Sequence, residues 1–184
     1  MKVWYDTEFW ERGAGRPIEP ISIGMVREDG ETLYLVNGDA PIAAIAREHP
    51  WLRDNVLNQL PLTLRRLPNG AWDAEWTEDH PDAEAIWTRA GCADQVKRFL
   101  QATPDLELWA WYAAYDHVVL AQLFGRMVDL PTGIPMWTND LRQEVHRLGN
   151  PAMPEQPAGL HNALADARHL RAMDEHLSSV TEKE

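Results

Sequence analysis

Cysteine is almost absent from this chain of 184 residues, in which Cys92 is the only one. A single cysteine excludes a disulfide framework and a thiolate metal site. We expect Cys92 to be a small buried side chain in a protein of a reducing compartment. The sequence also lacks a charged leader with an apolar signal segment, and it has no apolar run of membrane-spanning length. We therefore expect a cytoplasmic protein that does not associate with membranes.

Lysine is also scarce. The chain has only Lys2, Lys97 and Lys183, and its formal net charge is −12. A protein that grips long nucleic acid by its backbone normally has a basic face, so this composition argues against a binder of long duplexes. If the substrate is nucleic acid, bound metal and a few arginines must supply the attraction. We then expect the protein to act on short single strands or chain ends rather than on long duplexes.

The hydrophobic fraction of 45% is ordinary for a globular protein, and residues 1–184 are expected to form one domain. Alternating apolar residues predict strands over Met1–Asp6, Ile18–Val26 and Thr32–Val36, with a hairpin turn at Glu28-Asp29-Gly30. These three strands would form an antiparallel meander.

The later part of the chain alternates between helical and strand patterns. Helices are predicted over Ala93–Gln101, Tyr115–Phe124, from Thr138 as cap to about Leu148, and over His161–Leu177, and further strands over Leu106–Trp111 and Ile134–Trp137. The expected fold is therefore α/β, with a mixed five-stranded sheet (an antiparallel meander, then parallel strands) flanked by helices. Residues 37–90 fit this pattern poorly, and we expect a divergent surface excursion there with short helices near Pro41–Glu48 and Trp51–Leu57.

Three acidic signals lie far apart in the chain. Asp6 and Glu8 are two apart in a strand, so their side chains share one face. Asp116 opens a helix, and His161 and Asp166 lie five apart near the start of the last helix. Each has an ordinary interpretation: a solvated strand end, a partner of the helix dipole, or a surface histidine. All of them lie where an apolar stretch ends or a helix begins, so one pocket could collect them.

Four carboxylates in one pocket would repel one another and raise their pKa values unless divalent cations neutralised them. The pattern therefore predicts a site for two metal ions, and such sites mostly cleave phosphodiesters. Ligation by carboxylates alone suits two Mg²⁺ ions, with Mn²⁺ as a substitute, better than Zn²⁺. Histidine is the side chain that ordinarily exchanges a proton near neutrality, so His161 is the natural base to take a proton from water.

The order Asp-x-Glu, then Asp, then His-x-x-x-x-Asp resembles the histidine-containing branch (DEDDh) of the DEDD superfamily of 3′–5′ exonucleases. The tyrosine branch would need a tyrosine at Asn162. Three segments resemble RNase AS, a family of small bacterial exoribonucleases that prefer adenylate-containing RNA: Tyr5-Asp6-Thr7-Glu8-Phe9, Glu107 to His117, and His161 to Arg168. The resemblance covers the chain before about Val36 and after about Ala93. Proofreading exonucleases usually carry asparagine where this chain has Tyr112.

This resemblance implies an RNase H-like fold and a homodimer. It also implies that Asp6, Glu8, Asp116 and Asp166 hold two metal ions, with His161 as the general base. The substrate would be the 3′ end of single-stranded RNA, and the products would be nucleoside 5′-monophosphates.

Aromatic residues near the acidic motifs are candidates to stack on bases. Phe9 directly follows the acidic pair and is the best of them. Trp111 is another, although an apolar strand also buries tryptophans in the core. Thr7, His117 and Arg142 complete the candidate substrate-binding residues, with His117 and Arg142 placed to contact phosphate or base.

Three other functions remain open. A phosphatase of the haloacid dehalogenase type also has acidic residues after its first strand, but it needs aspartate where Glu8 stands and a supporting lysine. An exonuclease acting on DNA or other oligonucleotides would use the same residues, because contacts to the 2′-hydroxyl often come from backbone groups. A non-catalytic nucleic-acid-binding module could retain the fold, although all five acidic and histidine residues are intact.

Overall fold

The computed structural model describes residues 1–181. Its strands are β1 (Lys2–Trp10), β2 (Glu19–Arg27), β3 (Thr32–Asn37), β4 (Leu62–Arg66), β5 (Trp72–Trp76), β6 (Ile86–Trp87), β7 (Glu107–Ala110) and β8 (Asn139–Asp140). Its α-helices are α1 (Ile42–Glu48), α2 (Pro50–Asn55), α3 (Arg89–Gln101), α4 (Ala113–Phe124), α5 (Leu141–Arg147) and α6 (Ala163–Thr181). Single 3-10 turns lie at Leu57–Gln59, Ala83–Ala85 and Met127–Asp129.

Six strands form the central sheet, in the order β6-β3-β2-β1-β7-β8. The meander β1-β2-β3 is antiparallel, whereas β6, β7 and β8 each pair in parallel with their neighbours. β1 therefore lies in the middle, between β2 and β7. The predicted α/β class and the mixed sheet flanked by helices are confirmed, and the arrangement is compatible with an RNase H-like fold. The sheet has six strands rather than the predicted five, because β6 pairs with β3 at its edge.

The two faces of β1 pack against different helices, because alternate side chains of a strand point to opposite sides. Val3 and Tyr5 lie in an apolar cluster with Val96 of α3 and Leu120 of α4. Trp4 lies in a separate cluster with side chains of α5 and α6. Asp6 and Glu8 have the parity of Trp4, so they belong to the face that α6 covers.

Two predicted elements of the later chain are wrong. Residues 134–137 form no strand, since Pro135 lacks the N–H group that a sheet ladder needs. The strand that pairs with β7 is β8, a little further along. Thr138 does not cap α5 either: the Asp140 side chain accepts hydrogen bonds from the backbone N–H groups of Arg142 (2.9 Å) and Gln143 (3.4 Å).

Residues 37–90 have more regular structure than the sequence indicates. The helices α1 and α2 lie close to their predicted positions, but the hairpin β4-β5 and the strand β6 were not predicted. Buried Ile45, Leu52 and Val56 pack in one cluster with Trp10 of β1 and Val36 of β3. The segment therefore shares a core with the central sheet and contributes β6 to its edge.

Two other expectations concern burial and the membrane. Cys92 is a free, buried side chain, as predicted. Burial raises the pKa of its thiol to about 11, so it is a poor nucleophile. Within residues 1–181, no helix combines the length and apolarity that crossing a bilayer requires.

Candidate active site

Gly24 has no side chain, and this allows the start of α6 to pack close to the strand that carries the acidic pair. Asp6 of β1 lies directly opposite Gly24 of β2, so the two residues share a face of the sheet. A Cβ atom at Gly24 would lie 2.3 Å from the carbonyl carbon of Ala163 and 2.3 Å from the nitrogen of Leu164. Only glycine leaves room for the first turn of α6 there. This close approach places the start of α6 beside Asp6 and Glu8.

His161 and Asp166 flank the start of α6. The helix begins at Ala163, so His161 lies before it rather than in its first turn as predicted. Its backbone has a left-handed conformation (φ 67°), and its N–H group donates a hydrogen bond of 3.0 Å to Oδ2 of Asp166. Oδ1 of the same carboxylate accepts a hydrogen bond of 2.6 Å from Gln156. The loop before α6 thus folds back onto Asp166.

Asp116 approaches β1 from α4. Its Oδ1 accepts hydrogen bonds from the backbone nitrogen of Thr7 (2.9 Å) and from Oγ1 of Thr7 (2.7 Å). The parallel pairing between β1 and β7 reaches only as far as Trp4, so the N–H of Thr7 has no strand partner on that side. The buried Asp116 carboxylate takes the place of that partner. Asp116 is thereby fixed at the strand that carries Asp6 and Glu8.

Several of the predicted residues meet at one place. Glu8, His161 and Asp166 each offer a ligand atom, and these atoms all lie within 4.8 Å of one another. Asp6 and Asp166 line an open cavity of about 380 Å³. The rest of its lining is mainly apolar and aromatic: Trp111, Gln156, Leu160, His169, Leu170 and Met173. An acidic edge beside an apolar wall is a suitable shape for a ligand with a charged and a flat apolar part.

The electrostatics of this cluster are unfavourable for the free carboxylates. Burial raises the pKa of Asp6 well above its usual value, and the charges of Asp116, Glu8 and Asp166 raise it further. Burial and the charges of Asp166 and Asp116 raise the pKa of Glu8 to about 8. Burial also raises the pKa of Asp116, to about 7, although hydrogen bonds from Thr7 oppose the change. The pKa of Asp166 is raised by burial too.

No lysine or arginine within residues 1–181 forms a salt bridge with any of these four carboxylates. The buried Asp174 provides a contrast, since Lys2 (2.7 Å) and the indole nitrogen of Trp4 (3.0 Å) satisfy it. A group of buried and half-buried carboxylates that repel one another, with no lysine or arginine partner in the part of the chain that the structure describes, is the donor set that a hard divalent cation fits. The residues present are therefore compatible with Mg²⁺ or Mn²⁺.

The candidate substrate-binding residues lie in different surroundings. Trp111 lines the cavity, and the Arg142 guanidinium lies 5.9 Å from the centre of its ring. Thr7 has both of its donors on Asp116. Phe9 is partly buried and follows a bulge in β1. His117 contacts Oγ1 of Thr138 through Nδ1 (3.0 Å), and burial lowers its pKa, so the imidazole is neutral at physiological pH.

Three residues of the site were not found from the sequence. Gln156 binds Asp166, and it lies in a proline-rich loop that carries no periodic signal. Gly24 interrupts a strand, which is a recognised sign that another backbone comes close. Trp51 lies in the segment 37–90, and its ring centre is 4.8 Å from that of His161, with the two planes at 74°. No short motif could have joined Trp51 to His161, since 110 positions separate them in the chain.

The fold and the site together define a class: an α/β protein whose central strand carries an acidic pair, completed by an acidic residue from each of two helices. No family profile matches the chain. Two curated proteins from strains of Mycobacterium tuberculosis, both named 3′–5′ exoribonuclease, are each 39% identical to it over 171 residues. The match covers 91% of this chain and 88% of each relative. The chain belongs to the family of these 3′–5′ exoribonucleases.

Family membership confirms the prediction that the chain is an enzyme of the 3′–5′ exonuclease class. The alignment with these relatives also covers more of the chain than the three motif segments that resemble RNase AS. A match over 91% of the chain cannot leave out all of residues 37–90, so part of that segment is shared with the relatives.

Proposed function

We propose that this protein is a metal-dependent 3′–5′ exoribonuclease of the DEDDh type, which releases nucleoside 5′-monophosphates from the 3′ ends of single-stranded RNA. The names of the two relatives support the activity and its polarity. The observation that carries the chemistry is the convergence of Glu8, His161 and Asp166 within 4.8 Å, beside a cavity that Asp6 also lines.

In this proposal Asp6, Glu8, Asp116 and Asp166 hold two Mg²⁺ ions, for which Mn²⁺ can substitute. When bound, such a pair of ions supplies the positive charge that makes water nucleophilic and stabilises the oxygens of the scissile phosphodiester. Gln156 and the backbone of His161 fix both oxygens of Asp166, while Thr7 fixes Asp116. The protein thus orients its ligands before substrate arrives, which lowers the cost of ordering them.

His161 is the general base in this proposal. Its backbone is tied to Asp166, so its imidazole lies at the edge of the acidic cluster, where it can accept a proton from the attacking water. The apolar wall of the cavity, which includes Trp111, Leu160 and Met173, would take the terminal base. Contact with an aromatic ring is tolerant of sequence, and it stabilises a bound base by about 1–3 kcal/mol.

Two finer features, a preference for adenylate and a homodimer, rest on the resemblance to RNase AS. A cytoplasmic location rests on the single cysteine, and a single catalytic domain that includes the excursion at residues 37–90 rests on the length of the chain. The net charge of −12 also suits attack at a chain end, where a few local contacts suffice, better than binding along a duplex.

The test is a digest of single-stranded oligonucleotides labelled at the 5′ or at the 3′ end, with RNA and DNA in parallel. With Mg²⁺, 5′-labelled RNA should shorten stepwise, and 3′-labelled RNA should release a labelled mononucleotide at once. Chelator should stop both. Metal binding without cleavage of any oligonucleotide would instead identify a non-catalytic module. Faster cleavage of DNA would reassign the substrate.

A further inference from the structure

Trp51 joins the poorly predicted segment 37–90 to the proposed catalytic histidine. Its indole and the imidazole of His161 meet edge to face, with ring centres 4.8 Å apart and an angle of 74° between the planes. Trp51 is 50% exposed, so the contact uses part of a large ring whose remainder faces solvent. Aromatic pairs in this arrangement attract each other beyond the effect of their buried area.

The histidine has few other restraints on its ring. Its backbone is fixed, because its N–H binds Asp166 and the next residue, Asn162, donates its backbone N–H to the carbonyl of Gly159. The imidazole nitrogens, in contrast, make no hydrogen bond with any residue in the range 1–181. The indole of Trp51 therefore supplies the aromatic contact to a ring whose other near neighbours are the carboxylates of Glu8 and Asp166.

Trp51 is well placed to hold another ring still. It lies on α2, whose first turn is capped by Nδ1 of His49, which accepts a hydrogen bond of 3.1 Å from the nitrogen of Leu52. Leu52 and Val56 anchor the same helix in the apolar core. The side-chain amide of Asn55 also binds the carbonyl oxygen of Trp51 at 2.9 Å. These contacts fix the backbone from which the indole of Trp51 reaches His161.

We propose that Trp51 is a positioning residue that holds the imidazole of His161 in the orientation needed to accept a proton. The inference rests on the proposed role of His161 as general base. It assigns a function to residues 37–90: α2 packs on the core and carries one wall of the active site. Removal of Trp51 leaves the base present but misaligned, so the rate of the chemical step falls while substrate binding changes little.

The test is a double-mutant cycle with single-stranded RNA as substrate. Trp51→Ala should lower kcat roughly 3- to 10-fold, the size of one aromatic contact, with KM changed less than about 2-fold. Trp51→Phe should restore most of the rate, because it keeps an aromatic edge. In a His161→Ala background, Trp51→Ala should cause no further loss. Trp87→Ala is the matched control, since Trp87 is a comparably exposed tryptophan (41%) of the same segment, on the outer strand β6.

A second measurement does not depend on activity. The C–H proton signals of the His161 imidazole, assigned by their loss in His161→Ala, should shift in Trp51→Ala, because the ring current of the indole is removed. Trp51→Phe keeps an aromatic ring, so its ring current should still displace the His161 signals, in the same direction as the indole does.

Three results would overturn the inference. They are a normal kcat in Trp51→Ala, a full additional loss in the His161→Ala background, and a raised KM with unchanged kcat. The last would show that Trp51 contacts RNA directly. If His161→Ala alone leaves the rate unchanged, His161 is not the general base. That result distinguishes a failure of the proposed mechanism from a failure of the role proposed for Trp51.

Discussion

Gly24 lies opposite Asp6 in the central sheet, and the absence of a side chain at Gly24 lets the start of α6 rest on the strand beside the carboxylate. We predict that Gly24→Ala disrupts the site. The new Cβ would lie 2.3 Å from backbone atoms of Ala163 and Leu164, so α6 must move away from β1. Cleavage should fall by at least about 10-fold, since small displacements of reacting groups are costly.

The measurement for Gly24→Ala is the rate of RNA cleavage, together with thermal unfolding. Gly133→Ala is the control, because Gly133 has no heavy atom within 4 Å of an added Cβ, although its φ of +90° gives some strain. A Gly24→Ala enzyme with normal rate and melting temperature would show that the close approach of α6 has no functional importance.

Asp6→Ala and Asp166→Asn should each abolish cleavage while the fold is retained. Each removes a proposed metal ligand, and several kcal/mol of transition-state stabilisation correspond to about 1,000-fold in rate. Asp6→Ala also removes one of several mutually repelling carboxylates, so the melting temperature of the metal-free variant should rise. Circular dichroism and labelled-RNA digests give the measurement. A variant that keeps a near-normal rate would refute the metal assignment.

The raised pKa values predict how pH affects the metal-free protein. In the folded state Glu8, with a pKa raised to about 8, and Asp116, raised to about 7, keep protons that the unfolded chain releases at lower pH. Their contribution to stability is fully present below the unfolded pKa values, near 4, and is lost as pH rises through about 7–8. The metal-free protein should therefore become less stable as the pH rises from about 4 to about 8.

Bound cation should reverse that loss, because it binds the deprotonated carboxylates. The rise in melting temperature on adding Mg²⁺ should be larger at about pH 8 than at about pH 6. Differential scanning calorimetry with and without chelator measures it, and Asp166→Asn serves as the control. An equal rise at both pH values would argue against metal binding by these groups.

His161→Ala should lower the rate about 100- to 10,000-fold, the usual contribution of a general base. Because the imidazole lies within 4.8 Å of Glu8 and Asp166, it could instead be a metal ligand. Isothermal titration with Mn²⁺ separates the two roles: a base leaves the affinity nearly unchanged, whereas loss of a ligand weakens it. The dependence of the rate on pH should also change in this variant, and an unchanged pH–rate profile would rule out His161 as the base.

The regular part of the fold was predictable because its signals are local. The meander follows from alternating apolar residues and a hairpin turn, and the helices α3 and α4 follow from their periodicity. The short strands β6 and β8 were not predictable, because two residues carry no pattern and tertiary pairing alone defines them. The strand predicted at residues 134–137 rested on their apolar side chains, but only Ile134 is buried, whereas Met136 and Trp137 are exposed and Pro135 cannot donate to a ladder.

The same distinction applies to the site. Asp6, Glu8, Asp116, His161 and Asp166 could be singled out because their residue types and order indicate one chemistry. The structure places Glu8, His161 and Asp166 within 4.8 Å of one another, and the roles of all five residues stay predictions. The residues that orient them could not be singled out, because their importance lies in contacts across the fold. Gln156 reaches Asp166 from an irregular loop, and Trp51 reaches His161 from a segment with weak periodicity.

The most direct test of the account is a crystal structure of the protein grown with Mn²⁺, with anomalous scattering data collected to locate the ions. We predict two manganese peaks among the carboxylate oxygens of Asp6, Glu8, Asp116 and Asp166, with the His161 imidazole beside them and not bound to either ion. Absence of anomalous density among these oxygens at millimolar Mn²⁺, or ions bound elsewhere in an enzyme that still cleaves RNA, would contradict the central claim.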